Sequence, residues 1–219
     1  MKEILIKIAS FLWDIPIEKT SSEHNDYLEV VWSQGKKMLN TKDANFSFGN
    51  GYGVFEKAIG LIEKDISSVQ NTLILGFGCG SILHLLEKKH SYNGEITGIE
   101  YDPIIISLFK KHFEPNYSLK PELIAIDAFD FLNQCKDQYD LIFIDLFKEL
   151  DNVDFIFTKP FISSLKSISN TNTILVFNTI KRTELDHKNI SELILKLSRH
   201  YKNVSSASFQ DLNQIIIAK

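Results

Sequence analysis

The sequence predicts an α/β protein whose mostly parallel sheet is covered by helices, and two observations support this prediction. From about residue 70 onward, short apolar runs typical of buried strands alternate with segments whose apolar residues recur at helical spacing. The last two strand-like runs, 204–209 and 214–218, lie too close together for a parallel crossover, so they form a hairpin or belong to different edges. We therefore expect a parallel sheet that ends with one antiparallel strand.

Residues 1–51 differ from the rest and predict a small N-terminal antiparallel β region, followed by the main domain over residues 52–219. Strand-like runs lie at 11–18, 27–33, 36–39 and 45–48. Gln34-Gly35, between the second and third runs, is typical of a tight turn. The apolar stretch 4–13 is far short of the ~20 residues of a membrane span, and no cleavage site of a secretory signal follows it. We therefore predict no association with a membrane.

The main domain is predicted to begin with an amphipathic helix near Gly53, which leads to the first core strand at 72–75. A helix follows Gly80 and is predicted to stop at Asn93-Gly94. Asp102-Pro103 supplies the N-cap and the first residue of another helix. The other predicted strands are 96–99, 123–126, 139–144 and 173–177, and further helices are predicted near 131, at 159–168 and at 184–200.

Composition narrows the range of functions. The chain has 219 residues, of which 44% are hydrophobic and 24% charged, as expected for one sizeable globular domain. Its net charge of −4 argues against a non-specific nucleic-acid binder. The two cysteines make neither a disulfide framework nor zinc spacing, and the six histidines are scattered. We therefore predict a cytoplasmic protein that binds no metal and no nucleic acid.

A glycine-rich turn joins the first core strand to its helix. Glycines at 76, 78 and 80 allow a sharp turn and a close approach of a ligand to the main chain. The following helix directs free N–H groups toward such a ligand. About twenty residues further on, Glu100 ends the second strand, where a carboxylate can accept hydrogen bonds from both ribose hydroxyls. A glycine turn is common between any strand and helix, but together with Glu100 it indicates a nucleoside-binding βαβ unit.

The type of nucleoside depends on the glycine spacing. The dinucleotide fingerprint requires a third glycine where this chain has Ser81, and a terminal hairpin is unusual in NAD-binding folds. NAD-dependent redox chemistry therefore ranks last. Ending instead at Gly80, the G-x-G-x-G pattern resembles motif I of the class I S-adenosylmethionine-dependent methyltransferases.

Four segments in order, GFGCGS, IEYD, IDAFDFL and YDLIFIDLF, resemble the spermidine synthase family, a branch of the class I methyltransferase superfamily. The resemblance covers about residues 70–180, and the N-terminal hairpin is similar to the small β domain of that family. It implies a Rossmann-like methyltransferase fold with a seven-stranded sheet. It also implies S-adenosylmethionine or its decarboxylated form as cofactor, and a homodimer in which the N-terminal sheet could take part.

The resemblance further implies the site residues. These are, for the cofactor, Gly76, Phe77, Gly78, Gly80, Glu100, Tyr101, Asp127 and Ala128, and for catalysis Asp145. Glu100 would hold the ribose, Tyr101 would lie beside the adenine, and Asp127 and the Ala128 N–H would bind the adenine edge. Considered alone, Asp127 could equally cap a helix, and Asp102 is typical of a cap. Asp145 stands between apolar neighbours, so it must find partners or shift its pKa.

The chain departs from the family where the family places its other carboxylates. Cys79 replaces the aspartate of the glycine turn, and Lys148 stands where the second acid after the fourth strand is expected. Glu149 or Asp151 could compensate in part. The family's Tyr-His-Glu segment matches only at Glu56. These losses weaken the binding of a cationic diamine.

Three hypotheses follow for the function. The first is methyl transfer from S-adenosylmethionine to a small acceptor, which needs fewer acidic groups from the protein. The second is aminopropyl transfer from decarboxylated S-adenosylmethionine to an amine, as in the resembled family. The third is a non-catalytic module that retains a nucleoside pocket. In each case we expect the acceptor side to be bounded by the N-terminal sheet, residues 48–52 and the loop after Asp145.

Overall fold

The computed structural model describes residues 2–42, 45–47, 50–148, 151–210 and 212–219. Its N-terminal region contains α1 (Lys2–Ala9), β1 (Ile15–Thr20), β2 (Leu28–Ser33), β3 (Lys36–Thr41) and β4 (Asn45–Ser47). The four strands pair antiparallel in chain order. Gln34 and Gly35 form the β2–β3 turn with φ of 49° and 74°, where the sequence predicted a turn. The predicted first strand is wrong at its start, because residues 10–13 close the last turn of α1.

The main domain alternates strands and helices from residue 50 onward. Its elements are α2 (Asn50–Leu61), α3 (Glu63–Ile66), β5 (Asn71–Leu75), α4 (Ser81–His84, continued as a π-helical turn, Leu85–Lys89), β6 (Glu95–Glu100), α5 (Pro103–His112), β7 (Glu122–Ala125), α6 (Ala128–Gln134), β8 (Tyr139–Ile144), β9 (Phe147–Lys148), β10 (Asp151–Asn152), α7 (Lys159–Ser167), β11 (Ser169–Ile180), α8 (Glu184–Leu197), β12 (Val204–Phe209) and β13 (Asn213–Ala218). Short 3₁₀ turns cover Glu114–Asn116 and Asp154–Phe157.

The main sheet has seven strands in the order β12-β13-β11-β8-β5-β6-β7. The five strands from β11 to β7 run parallel, whereas β13 is antiparallel to both of its neighbours. The last two strands form the hairpin that their short connection required. The predicted Rossmann-like methyltransferase fold, with its small N-terminal β-sheet region, is therefore confirmed.

Several boundaries differ from the predictions. β11 begins four residues before the predicted strand and extends three beyond it, to Ile180. The helix after the glycine turn ends near residue 90, before the predicted stop at Asn93-Gly94, and Ser91 then has a positive φ of 52°. The predicted domain boundary between residues 51 and 52 falls in the first turn of α2, so that division remains a prediction.

Hydrophobic cores lie on both faces of the main sheet. On one face, α2, α4 and α5 pack together with buried residues of the N-terminal sheet such as Leu28 and Leu39. On the other face, the core is formed with α6, α7 and α8. Because the N-terminal sheet shares the first core, its loops are held close to the start of α5, which follows the second core strand. No helix in the described ranges is long and apolar enough to cross a bilayer.

Candidate functional site

The predicted site residues follow the carboxyl ends of four adjacent parallel strands. β8, β5, β6 and β7 are neighbours, with Leu75 level with both Ile144 and Ile99. Neighbouring strands lie about 4.8 Å apart, so the ends of β8 and β7 are separated by about 14 Å. Ligands of open α/β sheets bind at this edge. The glycine turn, Glu100 and the residues after β7 and β8 thus lie along one edge of the sheet, which we call the crevice.

The glycine turn needs its glycines for steric reasons. Gly76, Gly78 and Gly80 have φ of 84°, 56° and 84°, in the left-handed region that favours glycine. A Cβ on Gly76 would lie 2.1 Å from the Asp145 carbonyl oxygen. The N–H groups of Gly76 and Phe77 both donate to the Ile99 carbonyl at 2.9 Å. The turn is therefore fixed directly against the ends of the β6 and β8 strands.

Glu100 is held beneath this turn by main-chain donors. Its side chain accepts from the Gly78 N–H at 2.9 Å and from the Asp102 N–H at 3.1 Å, and the residue is only 6% exposed. Burial raises the pKa of Glu100, although the two N–H groups act in the opposite direction and the charge of Asp102 adds to the rise. Each carboxylate oxygen can accept a second hydrogen bond, so both ribose hydroxyls can still be bound.

Asp145 is the second carboxyl group of the crevice whose pKa is raised. It is half-buried, and its Oδ1 accepts a hydrogen bond from the Asn178 side chain at 3.0 Å. Burial raises the pKa of Asp145 to about 7; the Asn178 bond acts against this rise, and the nearby charge of Glu100 adds to it. A carboxyl group that titrates near neutral pH can accept and release protons under physiological conditions.

Asn178 is a site residue that the sequence reasoning missed. It is 4% exposed, and its Oδ1 accepts from the Asn213 side chain at 2.8 Å, so the amide is oriented with its nitrogen toward Asp145. The signal was present, because Asn178 follows the predicted apolar run 173–177 as Glu100 follows its own run. Phe177 is level with Ile144 in the parallel register, which places Asn178 beside Asp145.

Asp127 and Ala128 begin α6 in a way that leaves one donor available. Asp127 Oδ1 accepts from the N–H groups of Phe129 and Asp130 at 2.7 and 3.2 Å. Within the described ranges the Ala128 N–H has no hydrogen bond, and Asp127 Oδ2 accepts neither of the two capping bonds. Capping, one of the two roles left open for Asp127, is thus observed. The free N–H and the second oxygen match the donor and acceptor pattern of an adenine edge.

Phe77 and Cys79 lie under the turn. The Phe77 ring is 4% exposed and packs edge-on against Phe109, with centroids 4.9 Å apart. Its N–H and C=O are bonded to Ile99 and Gly80. The structure therefore shows a packing role for the Phe77 ring, and its predicted contact with the cofactor remains a prediction. Cys79 is fully buried, and burial raises the pKa of its thiol well above the ordinary range, with the charge of Glu100 contributing.

Tyr101 and Asp102 contact the loop between β1 and β2. The Tyr101 ring is 56% exposed and tilted against His24, with centroids 4.2 Å apart. Asp102 is 1% exposed, and its carboxylate accepts hydrogen bonds from Ser22, from the Asn25 side chain at 2.7 Å and from the Ile104 N–H at 2.9 Å. Asp102 is thus the predicted helix cap, and it also fixes the N-terminal loop beside Glu100.

The acceptor side of the crevice, beyond the end of β8, contains few carboxylates that are free to bind an amine. Lys148 is exposed, and Asp151 is ion-paired with Arg182. Glu56, the residue that matches the family motif, is ion-paired with Lys89. Glu149 and residues 48–49 lie outside the described residues. The described part therefore leaves Asp145 as the main acidic group on this side.

A cavity of about 430 Å³ lies beside the first residues of β6 and β7, at the opposite edge of the sheet from the glycine turn. It is therefore not part of the crevice. Within the described residues, no group of three or more His, Cys, Asp or Glu side chains is arranged to hold a metal ion.

Comparison with known proteins agrees with this geometry. A family model described as the spermine/spermidine synthase domain matches residues 57–210, more than two thirds of the chain. A polyamine aminopropyltransferase of Sulfurisphaera tokodaii is 26% identical over 137 residues, which cover 53% of this chain and 45% of that protein. An eEF1A lysine and N-terminal methyltransferase homolog of Drosophila melanogaster is 24% identical over 167 residues, covering 71% of this chain and 23% of that protein.

The fold is also found in a solved structure. Spermidine synthase in complex with the transition-state analogue AdoDATO superposes with a TM-score of 0.65 at 14% identity, covering 93% of this chain and 72% of that one. At this identity the likeness concerns the fold alone. The matched segments span less than half of each of the two sequence relatives described above.

Proposed function

The chain belongs to the spermine/spermidine synthase family, as its motifs predicted, and we propose that it transfers an aminopropyl group from decarboxylated S-adenosylmethionine to an amine. The sequence alone favoured methyl transfer, with aminopropyl transfer as the alternative. Family membership and the aminopropyltransferase relatives support the alternative better. The proposed acceptor is a small amine, and the residues on the acceptor side of the crevice select which amine binds.

One observation carries the proposal: Glu100 and Asp145, two carboxyl groups with raised pKa values, follow strands on either side of the glycine turn. Two carboxyl groups in a poorly solvated crevice disfavour each other's charge, and a cation between them relieves that repulsion. The sulfonium of the donor and the ammonium of an amine acceptor are such cations. This crevice suits a reaction between two positively charged molecules.

The donor is proposed to lie along the ends of β5, β6 and β7. Glu100 would accept hydrogen bonds from the ribose hydroxyls, and the turn at Gly76 and Gly78 would allow close approach of the chain attached to sulfur. The Ala128 N–H and Asp127 Oδ2 would bind the adenine edge, with the exposed Tyr101 ring beside it. We leave Phe77 out of this set because its ring and main-chain groups are engaged inside the protein.

Asp145 is proposed as the general base. An amine acceptor arrives mostly protonated and must lose a proton before its lone pair can attack carbon. The amine nitrogen forms a bond to the aminopropyl carbon, the carbon–sulfur bond breaks, and its electron pair leaves with the neutral methylthioadenosine. Asp145 accepts the amine proton, and Asn178 orients the carboxylate. A base with a pKa near 7 is ionised and effective at slightly alkaline pH.

Methyl transfer is the second candidate, and the acceptor side supplies the observation that favours it. Cys79 is sealed in the core, Lys148 is exposed, and Asp151 is paired with Arg182. A lysine ~4 Å from an acceptor ammonium would oppose its binding by about 4 kcal/mol at an effective dielectric constant of 20. A methyl acceptor need not be cationic, and the Drosophila relative is described as a methyltransferase homolog.

One incubation series distinguishes these candidates. The protein is mixed with decarboxylated S-adenosylmethionine and a panel of mono- and diamines, and separately with S-adenosylmethionine and the same panel. We expect amine-dependent release of methylthioadenosine in the first series, and release slowed by about 10²- to 10⁴-fold in an Asp145→Asn variant. Release of S-adenosylhomocysteine in the second series would replace the proposal by methyl transfer. Calorimetric binding of both nucleosides without turnover would indicate a non-catalytic module instead.

A further inference from the structure

Three polar side chains at the carboxyl edge of the sheet form a chain of hydrogen bonds across three neighbouring strands. Asp145 follows β8, Asn178 lies near the end of β11, and Asn213 begins β13. Asn213 Nδ2 donates to Asn178 Oδ1 at 2.8 Å, and Asn178 Nδ2 donates to Asp145 Oδ1 at 3.0 Å. We call these three residues the polar row. It connects the C-terminal hairpin to the proposed general base.

The strand pattern places the polar row on one face of the sheet. Phe143, Val176 and Ile215, each two residues from a member of the row, belong to the core that includes α2. Side chains two residues apart in a strand point to the same face. Asn178 is 4% exposed, so little water reaches its amide to compete with the two hydrogen bonds. The row is therefore a fixed part of the fold.

The amide of Asn178 has two orientations, which exchange the positions of its nitrogen and its oxygen. With Nδ2 toward Asp145, the amide donates to the ionised carboxylate. With Oδ1 toward Asp145, the amide repels a carboxylate but accepts a hydrogen bond from a protonated carboxyl group. Asp145 alone would therefore permit either orientation, depending on its own protonation. Asn213 removes this choice, because its amide donates to Oδ1 of Asn178 and holds the nitrogen toward Asp145.

We propose that Asn213 is a positioning residue for the proposed reaction: through Asn178, it favours the ionised form of Asp145 that accepts the proton of the amine. This role rests on the proposed function, in which Asp145 is the general base. The hydrogen bond from Asn178 acts against the rise that burial causes in the pKa of Asp145. Loss of Asn213 frees the amide to rotate and to accept from the protonated acid, so the pKa of Asp145 rises further.

In the described part of the chain, few charged groups act on Asp145. Glu100, at the end of β6, is the one whose charge raises the pKa of Asp145. Burial raises the pKa of the Cys79 thiol in the glycine turn, which keeps that thiol neutral. Charged residues of α2, β9, β10 and the segment after β11 are exposed or bonded elsewhere; these are Glu56, Lys57, Lys148, Asp151 and Lys181. A change in the titration of Asp145 on removal of Asn213 can thus be assigned to Asn178.

The opposite edge of the same two strands offers a matched control. Asn170 Nδ2 donates to Asp140 Oδ1 at 2.8 Å, so there too an asparagine of β11 is bonded to an aspartate of β8. Asp140 also accepts from the main-chain N–H groups of Gln70 and Asn71. Asn170→Ala therefore removes an equivalent bond between the same strands and leaves the polar row intact.

Carbon-13 NMR of the carboxyl groups measures the pKa of Asp145 without turnover, and the signal is assigned by its absence in Asp145→Asn. We expect this pKa to rise by about 0.5–1 pH unit in Asn213→Ala and in the nearly isosteric Asn213→Leu. Asn178→Ala should raise it by about 1–2 pH units, and Asn170→Ala should leave it unchanged. In Asn178→Ala/Asn213→Ala the rise should equal that of Asn178→Ala alone, because Asn213 acts through Asn178. An unchanged pKa in both single Asn213 variants, or an additional rise in the double variant, would overturn the proposal.

The pH dependence of methylthioadenosine release provides a second readout. In both Asn213 variants, turnover at pH 7 should fall about two- to five-fold and recover at pH 9, with unchanged affinity for methylthioadenosine. A merely structural role for Asn213 would lower turnover equally at both pH values and would contradict the proposal. If no amine supports release by the wild type, the proposed function fails, and the NMR titration still decides whether Asn213 acts on Asp145. If release occurs with a pH dependence that Asn213 does not alter, the positioning role is wrong and the proposed function stands.

Discussion

The two halves of the crevice hold their carboxyl groups in different ways. The donor half, at the ends of β5, β6 and β7, keeps three glycines of the turn and the carboxylates Glu100 and Asp127, which main-chain N–H groups hold in place. The acceptor half, at the ends of β8 and β11, keeps only Asp145, oriented by a side-chain amide. The nearby acid Asp151 is already neutralised by an arginine.

This difference indicates that the donor and the acceptor are recognised in different ways. A nucleoside presents the same hydroxyls and ring edge in every reaction of this superfamily, so the donor half can be built from backbone geometry that few side chains alter. An acceptor is recognised by charge and shape, which single substitutions such as a lysine at position 148 change strongly. We therefore expect changes in the donor half to abolish binding and changes in the acceptor half to alter turnover and amine preference.

The largest effect is expected for Asp145→Asn. Removing a general base lowers turnover by about 10²- to 10⁴-fold, whereas donor affinity, which depends on the other half, should change only a few-fold. Steady-state kinetics and calorimetry measure the two quantities separately. Asp137→Asn, which removes an exposed carboxylate just before the same strand, serves as the control and should leave turnover unchanged. An equal loss of donor binding in Asp145→Asn would show that the halves are not separable.

The same variant should be more stable than the wild type. The pKa of Asp145 is about 7 in the folded protein against 3.8 ordinarily. Between these two pH values the carboxyl group is protonated in the folded protein but ionised in the unfolded chain. Folded-state stability is therefore lost as pH rises from about 4 to 7, and Asp145→Asn avoids that loss. We expect its gain in free energy of unfolding to grow by about 2–4 kcal/mol between pH 4 and pH 8. Urea titrations at both pH values measure it; a gain independent of pH would contradict the raised pKa.

The next largest effect is expected on the affinity for the donor nucleoside. Glu100→Ala should weaken methylthioadenosine binding by at least about 100-fold, because two hydrogen bonds to a charged group are lost at about 1.5–3 kcal/mol each. Glu95 at the exposed start of the same strand provides the control, and Glu95→Ala should bind normally. Since Glu100→Ala leaves the Gly78 and Asp102 N–H groups without partners, Glu100→Gln tests the role with less disturbance. Unchanged calorimetric affinity in both Glu100 variants would remove the donor half from the proposal.

The sequence predicted the donor half well because its signals are local. An apolar run followed by a carboxylate marks a strand end, and parallel strands bring such ends to one edge. Asn178 carried the same signal and was overlooked because the predicted strand ended at Phe177. Contacts across the chain had no local signal: Ser22 and Asn25 meet Asp102 from about 80 residues away. The exposed apolar side chains of α1 also could not be predicted, since the orientation of this helix depends on Ser10 bonds to a turn 25 residues later.

The smallest expected effect concerns the binding of an amine in the acceptor half. Arg182→Ala removes the ion pair of Asp151 and leaves that carboxylate available to an amine. Exposed ion pairs contribute about 0.2–1 kcal/mol, so the KM for a diamine should fall about two- to five-fold with little change in turnover or donor affinity. Arg199→Ala removes the chain's other arginine, after α8, and should leave the KM unchanged. If Arg182→Ala instead raises the KM, the arginine contacts the acceptor directly. In that case an acidic or neutral acceptor, and hence methyl transfer, becomes the better explanation.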